Sequence, residues 1–359
     1  MSIKSIAIEL LRSRRRAHWA APKKRIALTF AERKEVEAVW GGGVWSKPNY
    51  EWHEHYKAVN GEFDPRYMPG DVFYLDLLPR LSDLALSEAW EDKSYYAKRF
   101  PEFPFPALRF ACIGGRLVDK DLSFISWENA YQAVRDMKAA FVKPSLGSYQ
   151  GIGAFRLELI DINSPEDLKT RLADCGGNFV VQDLIEQADL LSSFNPSSVN
   201  IIRMNTVCLN GDAFLANATI RFGVAGSVTD MAHVEGVEIA RVAGLNDDGC
   251  LRGFFCNQDG DRTPLSELGI QGEDRVPGFY KAVNCCKELH KQMHHFGLIA
   301  FDVAIRSDGE PVIVEMNIDG PGSVFYQYAN GPFFGDRTED VIEWCKKRTW
   351  DPALYMQII

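Results

Sequence analysis

The sequence predicts an α+β chain of several lobes, and three observations carry that reading. Two β-like runs, 299–305 and 311–316, flank Ser307-Asp308-Gly309, which is hairpin-turn chemistry. Short strand-like and helix-like patterns succeed one another from position 107 onward, with Gly and Pro punctuating them. The length, 359 residues, exceeds what one simple core holds and suggests two or three lobes. Residues before about position 90 read as helices and loops, a mainly helical N-terminal lobe.

The hairpin is the most informative stretch. Side chains alternate between faces along a strand. Alternation puts Val312 and Val314 on one face and Ile313, Glu315 and Asn317 on the other. Asp302 sits between apolar neighbours on the first strand, where a merely solvating charge is not needed. Asp302, Glu315 and Asn317 can therefore converge as hard oxygen donors, the kind Mg²⁺ prefers alongside substrate phosphates. The plain alternative is a surface hairpin with scattered acids. The apolar flanks 298–300 and 312–314 favour a central hairpin instead.

Composition bounds the function. Hydrophobic residues are 46% and charged residues 25%, as in ordinary soluble globular proteins. A net charge of −9 argues against a general nucleic-acid binder. None of the eight cysteines has Cys-x-x-Cys spacing, so free thiols in a reducing compartment are expected. No run approaches the roughly 20 apolar residues of a membrane span. The N-terminus lacks the apolar core of a secretory signal, and a cytoplasmic location is the expectation.

In chain order, positions 2–34 alternate apolar and basic residues, from Arg12 to Arg16 and again at Lys23, Lys24 and Arg25. Helix is expected in parts, interrupted at Pro22. Such a stretch can make peripheral contact with an anionic membrane, although it is more often a solvated helix face. Residues 34–70 are rich in Trp, Tyr and Gly. His53 and His55 could share a metal on a strand, but no third ligand is visible and a surface loop is expected. Residues 84–96 are helical in pattern. Residues 107–113 read as a strand, Gly114-Gly115 as a turn, and Ser126 to about 138 as a helix.

Next comes Lys143-Pro144-Ser145-Leu146-Gly147-Ser148-Tyr149-Gln150-Gly151-Ile152-Gly153. Its glycines let backbone N–H groups approach phosphate oxygens, and its lysine adds a point charge. With no Gly-Lys pair in the chain, it is not the common phosphate-binding loop. Taken alone it is a plain hairpin turn. Residues 155–161 are a strand, Ser164-Pro165 starts a helix, and 179–187 is a strand running into a loop. Ser197, Ser198, Asn200 and Arg203 could cradle a carboxylate or phosphate. Residues 278–295 are an amphipathic helix. His290 and His294 share a face there, but Lys291 replaces the glutamate of the zinc-protease motif, so a solvated face is expected. A last helix spans about 341–347.

Asp302, the turn, Glu315-Met316-Asn317 and Gly320-Pro321-Gly322 together resemble the metal-binding end of ATP-grasp enzymes. Lys143-Pro144 and the glycines after it resemble that family's mobile flap. Asp92-Lys93-x-x-Tyr96 before Phe100-Pro101 resembles the entry to its lid. Residues 195–206, with Ala218-Thr219-Ile220-Arg221-Phe222-Gly223, resemble the sugar-transfer-associated branch, and the resemblance spans about 92–338. Met231 and Glu235 depart from that branch where Asn and Gly are usual, which puts the acceptor pocket in doubt more than the ATP site.

The resemblance implies an ATP-grasp fold in which two α+β lobes grip ATP: a lid at 91–183 and a catalytic part at 184–359, behind the N-terminal lobe at 1–90. It implies ATP with two Mg²⁺ ions, Mn²⁺ being a substitute, held by Asp302, Glu315 and Asn317. Lys93, Lys143, Ser148, Gly151 and Gly153 would meet the phosphates. Gln182, Asp183 and Leu184 would line the adenine, and Gln187 or Asp189 would hold the ribose. Arg203, Arg221 and Lys143 would be catalytic. The implied reaction joins a small-molecule carboxylate to an amine through an acyl phosphate and releases ADP. The branch suggests a sugar acid, amino sugar or amino acid in cell-surface polysaccharide biosynthesis. A sugar or polyol kinase on the same fold, and an inactive nucleotide-binding protein, are the alternatives.

Overall fold

Two antiparallel sheets organise the chain. The computed structural model describes residues 21–42, 49–147, 151–234 and 237–348. The first sheet holds β1 (Leu108–Ile113), β2 (Arg116–Val118), β3 (Ala139–Pro144), β4 (Phe155–Glu158) and β5 (Phe179–Gln182), in the order β2-β1-β5-β3-β4. The second contains β6 (Ile201–Leu209) and β7 (Asp212–Arg221). After a small hairpin of β8 (Ala232–Val234) and β9 (Val237–Ile239) it adds β10 (Val242–Leu245), β11 (Leu251–Cys256), β12 (Arg262–Pro264), β13 (Leu298–Ile305) and β14 (Pro311–Asn317). Its order is β12-β11-β10-β7-β6-β13-β14.

Each sheet buries one face against helices. Phe110, Val142 and Val181 of the first pack with Ala130 and Val134 of the helix Trp127–Val134 and Leu168 of the helix Pro165–Arg171. Ser126 and Ser164 cap these two helices as their sequences require. The helix Trp127–Val134 stops short of the expected 138. On the second sheet Phe301, Val303 and Ile305 point into a large core completed by the helix Phe279–Lys291. Val36, Trp40 and Phe73 enter the same core, so the N-terminal helices pack directly on the second sheet. Among the described residues no helix is long and apolar enough to cross a membrane, and all eight cysteines are free.

Four local expectations are corrected. Residues 84–96 are not one helix but short α and 3₁₀ turns, because Asp92 accepts hydrogen bonds from the amide and hydroxyl of Ser94 and ends the Ser87–Glu91 helix. His53 and His55 lie buried on the helix Tyr50–Asn60, not on a surface loop. His290 is buried as well, its Nδ1 2.6 Å from Thr206 Oγ1 and its Nε2 2.9 Å from the Phe296 carbonyl. Of that pair His294 faces outward. Finally, β14 carries a bulge: Asp302 pairs with Glu315 and Val303 with Ile313, which leaves Val314 as the extra residue. The bulge resets the alternation. Ile313 therefore joins the core, while Val314, Glu315 and Asn317 share the opposite face.

Candidate active site

A cleft of about 690 Å³ lies between the sheets, lined from the first by Phe141, Lys143 and Gln182 and from the second by Arg203, Asp302 and Glu315. Asp183 and Leu184, expected at the adenine, line this cleft. Asp183 is tied down there. Its N–H donates to the Ala107 carbonyl at 3.0 Å, and its carboxylate accepts from Arg109.

The hairpin brings the three oxygen donors together. Asp302 and Glu315 are direct neighbours across β13 and β14, and Asn317 pairs with Ala300 one step along. The Asn317 amide nitrogen donates to the Ala300 carbonyl at 3.3 Å and to Asp302 Oδ2 at 3.4 Å. That orientation is chemically forced, since the flipped amide would set oxygen against carboxylate, and it turns Oδ1 away from Asp302. Two carboxylates and one amide oxygen fit Mg²⁺, which fills its remaining positions with water and phosphate oxygens. Among the described residues no cluster of three His, Cys, Asp or Glu offers a rival metal site.

Both carboxylates already have a cationic partner. Lys93 Nζ lies 2.7 Å from Glu315 Oε1 and is almost wholly buried. The Lys93 amide donates to the Ser145 carbonyl at 3.1 Å, which docks this segment on the base of the flap. Lys93, expected at the phosphates, does not itself line the cleft but pairs with Glu315, which does. Arg203 binds both oxygens of Asp302, with Nη2 3.0 Å from Oδ2, and its Nη1 donates to the Pro321 carbonyl and the Tyr326 hydroxyl. Its guanidinium is therefore committed to protein groups. Burial raises the Asp302 carboxyl, but Arg203 and Arg221 outweigh it and hold the group below its usual range. Lys143 Nζ donates to the Val314 carbonyl at 3.1 Å. Burial, and then the charge of Lys93, bring its ammonium down to about 8.

Other expected residues distribute unevenly. Gly151 lines the cleft with φ +73°; Gly153 packs on Pro144 away from the lining. Ser148, Glu235 and the basic stretch before residue 21 lie outside the described residues. Gln187 lines the cleft, but its amide donates to the Ser198 carbonyl and accepts from the Asn200 N–H. Asp189 is exposed and does not line the cleft. Ser197, Ser198 and Asn200 do not form the expected anion cradle. Ser197 Oγ donates to Asn195 Oδ1 and the Ser227 carbonyl, Ser198 Oγ accepts from Asn195 Nδ2, and Asn200 is buried on the Leu191 and Asn195 carbonyls.

Sequence reasoning missed three contributors. Asp230 lines the cleft and accepts from Arg221, whose Nε is 2.7 Å from Oδ2. Tyr326 accepts from Arg203 and donates to the Pro321 carbonyl at 3.0 Å. Glu91 receives the N–H groups of Ile318 and Asp319, and so fixes the chain just after Asn317. Burial, and then Asp319, push the Glu91 carboxyl up to about 7. The one available signal was the position of Glu91 two residues before Lys93.

A search of curated protein sequences finds no match. Among solved structures the chain is similar to biotin carboxylase from Campylobacter jejuni, at 11% identity and a TM-score of 0.44, with 75% of this chain and 48% of that one covered. It is also similar to the L-amino acid ligase from Bacillus licheniformis, at 13% identity and a TM-score of 0.38, with 74% and 49% covered. A third similarity is to the VanG D-Ala:D-Ser ligase from Enterococcus faecalis, at 11% identity and a TM-score of 0.45, with 74% and 62% covered. The chain spans about half the length of the first two. Residues 169–343 match the model for sugar-transfer associated ATP-grasp proteins. That stretch runs from the helix before β5 to the last helix and includes Arg203, Asp302, Glu315 and Asn317. The fold is an α+β ATP-grasp fold, and over that stretch, just under half of the chain, the sequence is similar to the sugar-transfer associated ATP-grasp family.

Proposed function

We propose that the protein is an ATP- and Mg²⁺-dependent ligase that joins a carboxylate to an amine through an acyl phosphate and releases ADP. The observation that supports this most is the shared cleft. Lys143 and the hinge from the first sheet face Asp302, Glu315 and Asn317 from the second across it. The family description favours substrates that belong to sugar-transfer chemistry, a sugar acid, amino sugar or amino acid among them.

In this reading the adenine lies against Phe141 and the hinge at Leu184 and Ile185. Asp183 positions that hinge through Ala107 and Arg109. Lys143 and Lys93 meet the phosphates; both are held rigidly, which lowers the reorganisation needed when charge develops. Glu315, Asn317 and Asp302 would hold Mg²⁺, which supplies charge neutralisation on the transferring phosphoryl group. The substrate carboxylate attacks the γ-phosphorus, ADP departs, and the amine then attacks the acyl carbon and expels phosphate. Arg203 acts by holding Asp302 in place. Flap closure at Gly151 keeps water from the acyl phosphate.

The test is ADP release measured with Mg·ATP and a panel of amino acids and uronic acids, singly and in pairs. ADP formation that requires a carboxylate and an amine together is expected. ADP formed with a polyol alone would make the protein a kinase, and no nucleotide binding by calorimetry would overturn the reading altogether.

A further inference from the structure

At the second-sheet side of the cleft an ion pair closes the wall. Arg221 ends β7, and Asp230 comes from the loop that follows it. Their side chains are only 16% and 13% exposed, yet both line the cleft. Arg221 directs Nε and Nη2 at the same oxygen, Asp230 Oδ2. Asp230 Oδ1 and Arg221 Nη1 make no hydrogen bond among the described residues. A side-on pair of this kind leaves an acceptor and a donor for a ligand.

On one side the neighbours of the pair are apolar: Val228 and Met231 lie within two residues of Asp230, Val242 pairs with Arg221 across β7 and β10, and all three line the cleft. From the other side the charges of Asp302 and Arg203 act on Asp230. The polar side chains close by are used internally. Asn195, Ser197, Ser198 and Ser227 bond one another and the Val224, Ser227 and Thr229 carbonyls, which pins the loop that carries Asp230. A sugar ring, with hydroxyls on every side, would find few partners here. An apolar side group would find a matching surface.

We infer that this end of the cleft receives an α-amino acid with an apolar side chain, its carboxylate on Arg221 and its ammonium on Asp230. This rests on the ligase reading, with the amino acid as the amine substrate. Charge balance favours it. A plain carboxylate that took Arg221 would leave Asp230 buried and unpaired, whereas a zwitterion partners both charges at once. In the bond-forming step the ammonium gives one proton to Asp230, and the nitrogen lone pair forms the C–N bond. The acyl C–O bond then breaks, and inorganic phosphate leaves with its electrons and takes the second proton from the nitrogen as hydrogen phosphate, which leaves the neutral amide. Burial raises the Asp230 carboxyl in spite of Arg221, which suits a proton acceptor.

Calorimetric titration of the full chain, with and without Mg·ADP, tests this. The probes are L- and D-leucine, 4-methylpentanoate and isopentylamine. One enantiomer of leucine should bind saturably, and each half-analogue should bind at least ~10-fold more weakly, as the loss of one charged hydrogen bond predicts. The double variant Arg221→Met/Asp230→Leu removes both charges at similar volume, so no buried charge is left alone. It should lose leucine affinity by ~10-fold or more while keeping Mg·ADP affinity within about twofold. Half-analogues equal to leucine, or leucine affinity unchanged in the double variant, would overturn the inference. Loss of Mg·ADP binding in the wild-type protein overturns the ligase reading instead, and the leucine titration without nucleotide still judges the ion pair.

Discussion

Arg203 on β6 reaches across to β13 and holds both oxygens of Asp302, Nη2 at 3.0 Å from Oδ2. Both residues are buried, so removal of either charge strands the other. Asp302→Asn is therefore expected to lose stability as well as turnover, by about 3 kcal/mol. Arg203→Met/Asp302→Leu should regain most of the stability and none of the ADP formation. Scanning calorimetry and an ADP assay on the three proteins check this. A melting temperature for Asp302→Asn within ~1 °C of wild type would refute it.

Lys93 and Glu315, 2.7 Å apart, form the second pair of the site. Lys93→Met should raise the KM for ATP by roughly 10-fold, because a phosphate loses its point charge. Glu315→Gln should weaken Mn²⁺ binding in the presence of ATP by about 10- to 100-fold, read by electron paramagnetic resonance. An unchanged KM in the first variant would remove Lys93 from the nucleotide site.

Gly151 sits at φ +73°, and a Cβ there would lie 2.7 Å from Thr229 Cγ2. The flap and the loop after β7 thus meet over the cleft. Gly151→Ala is expected to destabilise this closed arrangement by about 1–2 kcal/mol and raise the KM for ATP roughly 10-fold. The global melting temperature should barely move, since the strain is confined to a surface loop. Wild-type KM would show that closure does not need this contact.

Burial holds the His53 and His290 imidazoles down at about 4, against 6.5 for an exposed histidine. Between those values the unfolded chain binds more protons than the folded one. The contribution to stability is full above pH 6.5 and is lost as pH falls toward 4, by at most about 3 kcal/mol for each residue. Denaturant titrations at pH 7 and pH 4.5 measure the loss. His290→Asn should lose less than wild type, and equal losses would show that His290 does not drive the effect.

The convergence of Asp302, Glu315 and Asn317 was legible because hairpin turn chemistry and two-residue alternation are local. The bulge at Val314 was not, and it moved Ile313 to the core. The partners of Arg203 and Arg221 were also hidden. Asp302 lies 99 residues from Arg203, and strand order, not spacing, brings them together. His53 and His290 read as surface residues because polarity suggests water. Here a carbonyl replaces water for one nitrogen of each ring, the Pro65 carbonyl for His53 and that of Phe296 for His290. Lys93 emerged only through resemblance, since the turn that buries it is set by Asp92.

The Gln327 side chain accepts from the Met68 amide at 2.7 Å and donates to the Tyr56 hydroxyl at 2.8 Å and the Met68 carbonyl at 3.1 Å. His55 meets the Tyr328 hydroxyl at 2.6 Å on the same helix, Val324–Asn330, whose other side offers Phe325 and Tyr326 to the cleft. The head of the chain is accordingly a mould for one rim of the substrate chamber, not a detachable module. Cutting it away to obtain a minimal fragment, or exchanging it for the head of a distant relative, would leave that rim without a template.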